Sequence, residues 1–575
     1  MINWRIVKKL ATTSLFGGLS ACSTLFVATS VWTTGAHACG GFFCQTIPIE
    51  QAGEQIVFRQ DGSDITAMIR ILYTGVAEDF SWVVPVPNDP QLSVGSDTFF
   101  DQLEGQTRPQ FNLETRGQAC AVPFPVATVA TDAASESAGD TDDGNVSVRE
   151  EVVGPFDVQI ITSDDAGALA AWLAANDYDL TERGEELIAP YVEENMQFVA
   201  LKLRNGQTSG SIQPLIMRYQ GESPVIPIRL TGVAAQDDMG VLTWVIGDRR
   251  AVPDNYLHVV PNYGRINWFG GNFSAFASYQ GLITAAMDEA GGQGFATDLA
   301  GMIDPNIADS FNDPAVTQQV LNQAQEQADA AGFISEVMSR IPQQNESRTF
   351  LQSQLPLPAG FDASVYFSAA SLQLAFSAEE LNTARSEFQT FIETGIIQPL
   401  SDSIALVPPG AYMTRLSTTL SPEEMTLDPA FVFNPSMADQ SQDRNAVLDL
   451  SCTDNGTEWQ LTLGEGTDRD GEVVAQGISE GFPFIQPPEL IQQPAVSLSE
   501  DTSADALPVT VARNSFTAVS NGEITAFPAL TTDVTENPGG GDTGSSGGSG
   551  AGGPILVLLI SCLVGVRRFG VGARA

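Results

Sequence analysis

The sequence predicts an α+β protein: an antiparallel β-sheet or sandwich in the N-terminal half with a packed helix, then a helix-rich segment and a short β return. Three observations predict it. Apolar, β-rich runs broken by turn residues recur from Glu54 to Ile246. From about Gly281 the apolar period changes to 3.6 residues. Strand-like runs come back at Ala446 to Cys452 and Trp459 to Leu463.

The elements follow in order. Gln55 to Phe58 and Ile65 to Tyr73 predict two strands, with Asp61-Gly62 as the turn between them. Phe80 to Pro87 predicts another, and its two prolines make its end an edge or an exit, because proline cannot donate to a ladder. Residues 122–152 turn to Ala, Ser, Thr and Asp and predict an acidic insertion or loop. Phe156 to Thr162 predicts a strand; Ser163-Asp164-Asp165 then caps a helix over Ala166 to Ala175. Gln197 to Arg204, Pro214 to Tyr219, Val225 to Val233 and Val241 to Ile246 predict four successive strands. Leu282 to Ala290, Val316 to Ile341 and Glu379 to Ile392 predict helices. Ser377 to Glu380 supplies a capping box for the last of these, and Ser421-Pro422-Glu423-Glu424 repeats the pattern. Beyond Pro483 the Pro/Ser/Thr-rich chain predicts a stalk.

The domain plan has six parts. Residues 1–38 form a signal peptide, 39–275 a β-rich part and 276–435 a helix-rich part. Residues 436–482 form the β return, 483–553 a linker, and 554–575 an apolar segment with a basic tail.

Composition narrows the function classes. The 575 residues carry 70 Asp+Glu against 26 Lys+Arg, a formal net charge of −44. No basic stripe exists, so nucleic acid is not a partner. The three lysines, Lys8, Lys9 and Lys202, sit in no phosphate-binding loop, and two histidines, His37 and His258, cannot build a histidine-rich zinc site.

Both ends predict export. Arg5, Lys8 and Lys9 precede a largely apolar stretch to Trp32, then Ala36-His37-Ala38 before Cys39, a small-x-small site placing cleavage after Ala38. Leu19-Ser20-Ala21-Cys22 offers a rival start, acylated on Cys22. At the other end a Gly/Ser linker leads to an apolar run from Ile555 to Val566, followed by Arg567-Arg568. That run is twelve residues, short of the ~20 that span a bilayer, so on its own it predicts a marginal tail anchor. The order of linker, apolar helix and basic cluster resembles the GlyGly-CTERM sorting tags and, more loosely, the Myxo-CTERM tags. That resemblance implies contact with the membrane before processing and a final place in the envelope or at the cell surface, with release after tag cleavage.

Four cysteines remain in the body: Cys39, Cys44, Cys120 and Cys452. Export favours disulfides; the local pair Cys39–Cys44 and the long-range pair Cys120–Cys452 are the preferred of three pairings. A redox site is disfavoured because four residues separate Cys39 from Cys44.

The catalytic motifs fail on context. Gly477-Ile478-Ser479-Glu480-Gly481 matches a nucleophile elbow, but no helix signal and no later histidine follow it. His258, within a strand-like run, reads as a packed ring. Asp468 with Asp470, and Asp140 with Asp142, resemble fragments of calcium loops; neither has the acid at the first position that a full loop needs. Calcium is the only cofactor the sequence suggests.

Several longer phrases resemble one family. Cys39 to Cys44 (CGGFFC), Ile69 to Pro87, Ala168 to Tyr178, Tyr191 to Leu203, Arg415-Leu416 and Ser421 to Phe431 are similar to the bacterial "domain of unknown function 2330" family. The resemblance runs from Cys39 to Pro435 and implies an exported bacterial protein with no catalytic residues to carry over. The expectation is a non-enzymatic envelope or surface protein that binds a glycan, an envelope component or another protein. A carboxylate-based extracellular hydrolase, with or without Ca²⁺, is the alternative.

Overall fold

The computed structural model describes residues 50–74, 80–120, 147–176, 178, 182–204, 212–304, 307, 311, 313–358, 361, 366–483, 486–501, 509–511, 517–520 and 523–526. The architecture is mixed α and β, with antiparallel-rich sheets in the N-terminal half and helices later.

The first hairpin joins β1 (Glu50–Asp61) to β2 (Asp64–Thr74) through Gly62, whose φ of 63° suits a residue without a Cβ. β3 (Ser81–Val86), β4 (Gln91–Val94), α1 (Asp97–Thr107) and β5 (Gln110–Gly117) follow. Next come β6 (Ser147–Val153), β7 (Phe156–Thr162), α2 (Ala166–Ala175), α3 (Glu182–Glu193), β8 (Gln197–Leu203) and β9 (Leu215–Gln220). A short helix α4 (Ile228–Thr231) leads to β10 (Ala235–Gly247), β11 (Ala251–Pro253), β12 (Leu257–Pro261), α5 (Gly271–Glu289) and β13 (Gly294–Met302).

The helical part is an excursion between two neighbouring strands. β13 pairs with β14 (Tyr412–Leu420), and Met302 lies opposite Tyr412, so residues 303–411 leave and return at one point of the sheet. They include α6 (Pro314–Ala324), α7 (Ala330–Arg340), α8 (Gln344–Gln354), α9 (Ala369–Ala375), α10 (Ala378–Phe391) and α11 (Gln398–Ile404). Phe333, Ile334, Leu351, Leu381 and Phe388 form a core of their own there. After β14 come β15 (Phe431–Phe433), β16 (Asp443–Thr453), β17 (Gly456–Leu463), β18 (Val473–Ser479), α12 (Pro488–Ile491), β19 (Val496–Asp501) and β20 (Val509–Val511).

Ten strands form the central sheet in the order β20-β19-β12-β13-β14-β10-β1-β2-β9-β4. β1, near its middle, pairs antiparallel with β2 and parallel with β10. A second sheet, β3-β8-β7-β6, packs on one face. Alternation drives this: Trp82, Val84 and Val86 enter the core between the sheets with Ile56, Phe58 and Ile69, while Val83 faces α2 and α3 with Leu169 and Tyr191. α1 and α11 cover the opposite face of the central sheet through Phe99, Phe100 and Leu400, against Val57, Met68 and Trp244. A third sheet, β18-β17-β16-β5, shares its core with α5.

Several sequence expectations need correction. Val225 to Val233 is not a strand: Pro224 and Pro227 remove donors, and the segment makes one bridge and then α4. Val316 to Ile341 is two helices, because Asp329 caps a new one by accepting from Gly332 N–H at 2.8 Å. Ser421 N–H donates to Glu424 Oε2 at 2.7 Å, half of the expected box, yet only a turn forms there. The predicted insertion ends earlier, since β6 occupies its last residues. The helix-rich part contains β13 and β14, both in the central sheet. Residues 486–501 are not stalk: Leu490 and Val496 are buried and β19 pairs with β12. The Ser377 capping box is present in both directions, with Glu380. Among the described residues, no helix is long and apolar enough to cross a membrane.

Candidate functional site

Where the helical excursion returns over the sheet, it leaves a cleft of about 530 Å³. One wall is β4, the start of α1 and the turn between β6 and β7; the other is α8 and the end of α10. The α1 wall is set by its cap: Ser96 accepts from Phe99 N–H at 3.4 Å, which places Asp97 first in the helix and in the cleft lining. Thr98 Oγ1 donates to Glu346 Oε1 at 3.0 Å, tying α1 to α8 across the cleft.

The opposite wall is shaped by a π turn, Ile392–Ile397, that widens the end of α10. Gly395 sits in it, and its carbonyl accepts from Gln213 Nε2 at 2.9 Å. A Cβ at Gly395 would stand 3.0 Å from the Phe391 ring, so the glycine lets that ring lie close. Phe391 stacks on Phe350 with centroids 4.3 Å apart and planes 10° from parallel, and both rings line the cleft.

The electrostatics are one-sided. Asp97 and Glu346 line the cleft, and among the described residues no lysine or arginine does. Burial pushes the Asp97 carboxyl up to about 7; Arg70, 3.8 Å away, opposes the rise, and Asp101 and Glu346 add to it. Arg70 gives most of its charge elsewhere, to Asp101 at 2.6 Å and to Gln55 Oε1 at 2.9 Å. The Asp97 side chain keeps 40% of its surface exposed, so a ligand that fills the cleft would strengthen the rise. Two further lining groups, Gln343 Nε2 and Ser93 Oγ, are buried with no hydrogen-bond partner among the described residues.

The sequence-predicted residues lie elsewhere. Asp468, its side chain 2% exposed, accepts from Tyr263 N–H at 3.1 Å, from Arg469 Nε at 3.0 Å and from the Ser497 hydroxyl; it holds the third sheet to the segment after β12. Asp470 is exposed. Among the described residues, no group of three or more His, Cys, Asp or Glu could hold a metal ion. His258 is buried, with Nε2 3.3 Å from Thr297 Oγ1 and 3.4 Å from Arg250 Nη2. The Ser479 hydroxyl donates to the Gly481 carbonyl at the end of an edge strand. Cys120 and Cys452 are joined by a disulfide across 332 residues. Cys22, Ala36, Ala38, Cys39, Cys44, Asp140, Asp142, Ile555, Val566, Arg567 and Arg568 fall outside the described residues.

The cleft residues escaped the sequence reading, although two signals pointed to them. Ser96 before Asp97 is a cap pattern, and Gly395 interrupts a helical period. No curated protein and no solved structure matches the chain. The sequence model of one family, described as an uncharacterized protein conserved in bacteria, does match. The match ends at residue 317, earlier than the phrases at 415–416 and 421–431 suggest, and so leaves α8, α10 and their cleft wall outside it. Over residues 33–317, this chain belongs to the DUF2330 family.

Proposed function

We propose that the protein is an exported component of the bacterial envelope or surface that binds a glycan in the cleft between Asp97 and Phe350. One observation carries the ligand class: amides, hydroxyls and two carboxyls surround a stacked aromatic pair, with no cation in the lining among the described residues. Sugars present many hydroxyls to polar groups and C–H faces to rings. The two buried donors, Gln343 Nε2 and Ser93 Oγ, await acceptors of that kind. Among charged groups, an anionic ligand would meet only carboxylates there.

Export and location rest on the two termini: the Ala36-His37-Ala38 site and the linker, apolar run and Arg567-Arg568 at the end. On this reading the C-terminal segment holds the protein to the membrane until it is processed. Intact mass from native envelope tests this part; a species that keeps residues 1–38 and 555–575 would refute processing at both ends.

Calorimetric titration of the purified mature protein with envelope polysaccharide fragments tests the cleft. Binding that Phe350→Ala weakens about fivefold or more is expected, since aromatic contacts contribute about 1 kcal/mol or more. Failure of every fragment to bind refutes the reading.

A second reading, glycan hydrolysis, is favoured by one feature: a carboxyl at about 7, Asp97, shares the cleft with a second acid, Glu346. Release of reducing ends that stops in Asp97→Asn would establish it. Binding without release would leave the first reading alone.

A further inference from the structure

The sandwich is left open at one end. β3 is an edge strand and runs out through Pro85 and Pro87, so the two sheets separate there around a pocket of about 330 Å³. Ala67, Ile69 and Met217 of the central sheet face Val86 of the second sheet across it, and Met196, in the turn just before β8, lines the same space. Ala67, Ile69, Met217 and Val86 are each no more than 2% exposed, yet they border this unfilled space. Apolar walls with nothing against them lose dispersion contacts on that side, and an apolar space of this kind takes an apolar guest more readily than water.

The mouth has the opposite character. Glu194 and Glu222 stand at it, with Asp428 just inside. A nearby guanidinium, that of Arg229, is bound to Asp428 at 2.8 Å and to Glu194 at 3.1 Å and stacks on Tyr191 at 4.3 Å. Two of the three carboxyl groups therefore share one cation, Glu222 has no ion pair with it, and among the described residues no lysine or arginine lines the pocket.

We propose that this open end of the sandwich is a second binding site, which takes a compact hydrophobic ligand carrying a cationic amine. The apolar part fills the space between the sheets and the ammonium meets Glu222 and Glu194. A carboxylate of the same shape is excluded by charge. The volume lies at the small end of the ~300–1,000 Å³ typical of ligand pockets, which excludes a long acyl chain. Every lining residue except Asp428 lies within residues 33–317, so the site sits in the part of the chain that matches the family, unlike the glycan cleft.

The test compares 2-phenylethylamine with 3-phenylpropionate on the mature protein, following methyl signals of methionines labelled with ¹³C. The amine shifts the Met196 and Met217 methyls and binds about tenfold or more tighter than the acid. Glu222→Gln, an exposed change that carries no folding burden, narrows that ratio by about threefold or more. Ala67→Phe, which fills the space, abolishes binding of both compounds and leaves glycan binding in the cleft intact. Absence of amine binding, equal affinity for amine and acid, or binding that leaves both methyls unmoved would overturn the proposal. Should Ala67→Phe fail to fold, the charge ratio and its response to Glu222→Gln decide alone.

Discussion

Replacing Asp298 by alanine should destabilise the protein by about 3–5 kcal/mol, the usual loss when one partner of a buried ion pair is removed. Asp298 and Arg415 pair at 3.1 Å with side chains 1% and 4% exposed. The carboxylate also accepts from the Tyr279 hydroxyl and from Ser417 Oγ at 3.2 Å, and the Asp298 carbonyl accepts from Arg444 Nη2 at 2.8 Å. Without the carboxylate, Arg415 keeps only a 3.4 Å bond to the Thr107 carbonyl and the Trp244 ring at 5.8 Å, and its Nε has no partner. Two hydroxyls lose their acceptor as well, at about 1 kcal/mol each. The assay is thermal unfolding of the full chain by calorimetry at neutral pH. At about 2 °C per kcal/mol for a large domain, the expected fall is roughly 6–10 °C. The double variant Asp298→Leu with Arg415→Met removes both charges and should recover most of the loss. A single variant that loses less than about 1 kcal/mol, or a double variant no better than the single, would refute the argument that the charges hold each other in place.

Other predictions follow from the cleft, from a second raised carboxyl and from the disulfide. Burial pushes both Glu54 and Asp97 up to about 7, above their unfolded values, so the folded state holds extra protons between about pH 4 and pH 7. Stability should therefore fall as pH rises through that window and level off above it; Glu54→Gln with Asp97→Asn should flatten the slope between pH 5 and pH 8, and an unchanged slope would contradict the assignment. Gly395→Val should disturb the Phe391–Phe350 stack and weaken glycan binding about as much as Phe350→Ala does, with little change in melting temperature; intact binding would remove the π turn from the site. Reducing Cys120–Cys452 releases a loop of 332 residues, for which chain entropy sets a ceiling of about 5–6 kcal/mol. Denaturant midpoints of Cys120→Ser with Cys452→Ser against the parent measure it, and no change would mean that the strands hold the loop unaided.

Local chemistry was legible wherever a local signal decided the structure. The Asp61-Gly62 turn, the Asp165 cap on α2 and the Ser377–Glu380 box all act within four residues, and all three appear. The edge position of β3 was legible from its prolines. What long-range packing decides was not legible. β5 and β6 are polar strands with exposed residues on them, so they carry no alternation to read. Met425 is drawn into the core and the Leu427 carbonyl accepts from Tyr256 Oη at 2.6 Å, which pulls the chain after Ser421 away from the helix its capping pattern announces. The cleft belongs to this second kind: Asp97 and Glu346 are 249 residues apart, and only the return of the helical excursion brings them to one wall and its opposite.

The place of that excursion also sets a timetable. β10 presents one edge to β1 and the other to β14, and β14 begins only at Tyr412. During synthesis the long β10 is finished at Gly247, but its second neighbour emerges some 165 residues later. At about 5–20 residues per second, that is on the order of ten seconds with an apolar strand edge open. Val241, Trp244 and Val245, all buried in the end, are on offer to any other strand for that whole interval. For this chain the arrival of β14, and not the speed of local folding, sets when that edge closes.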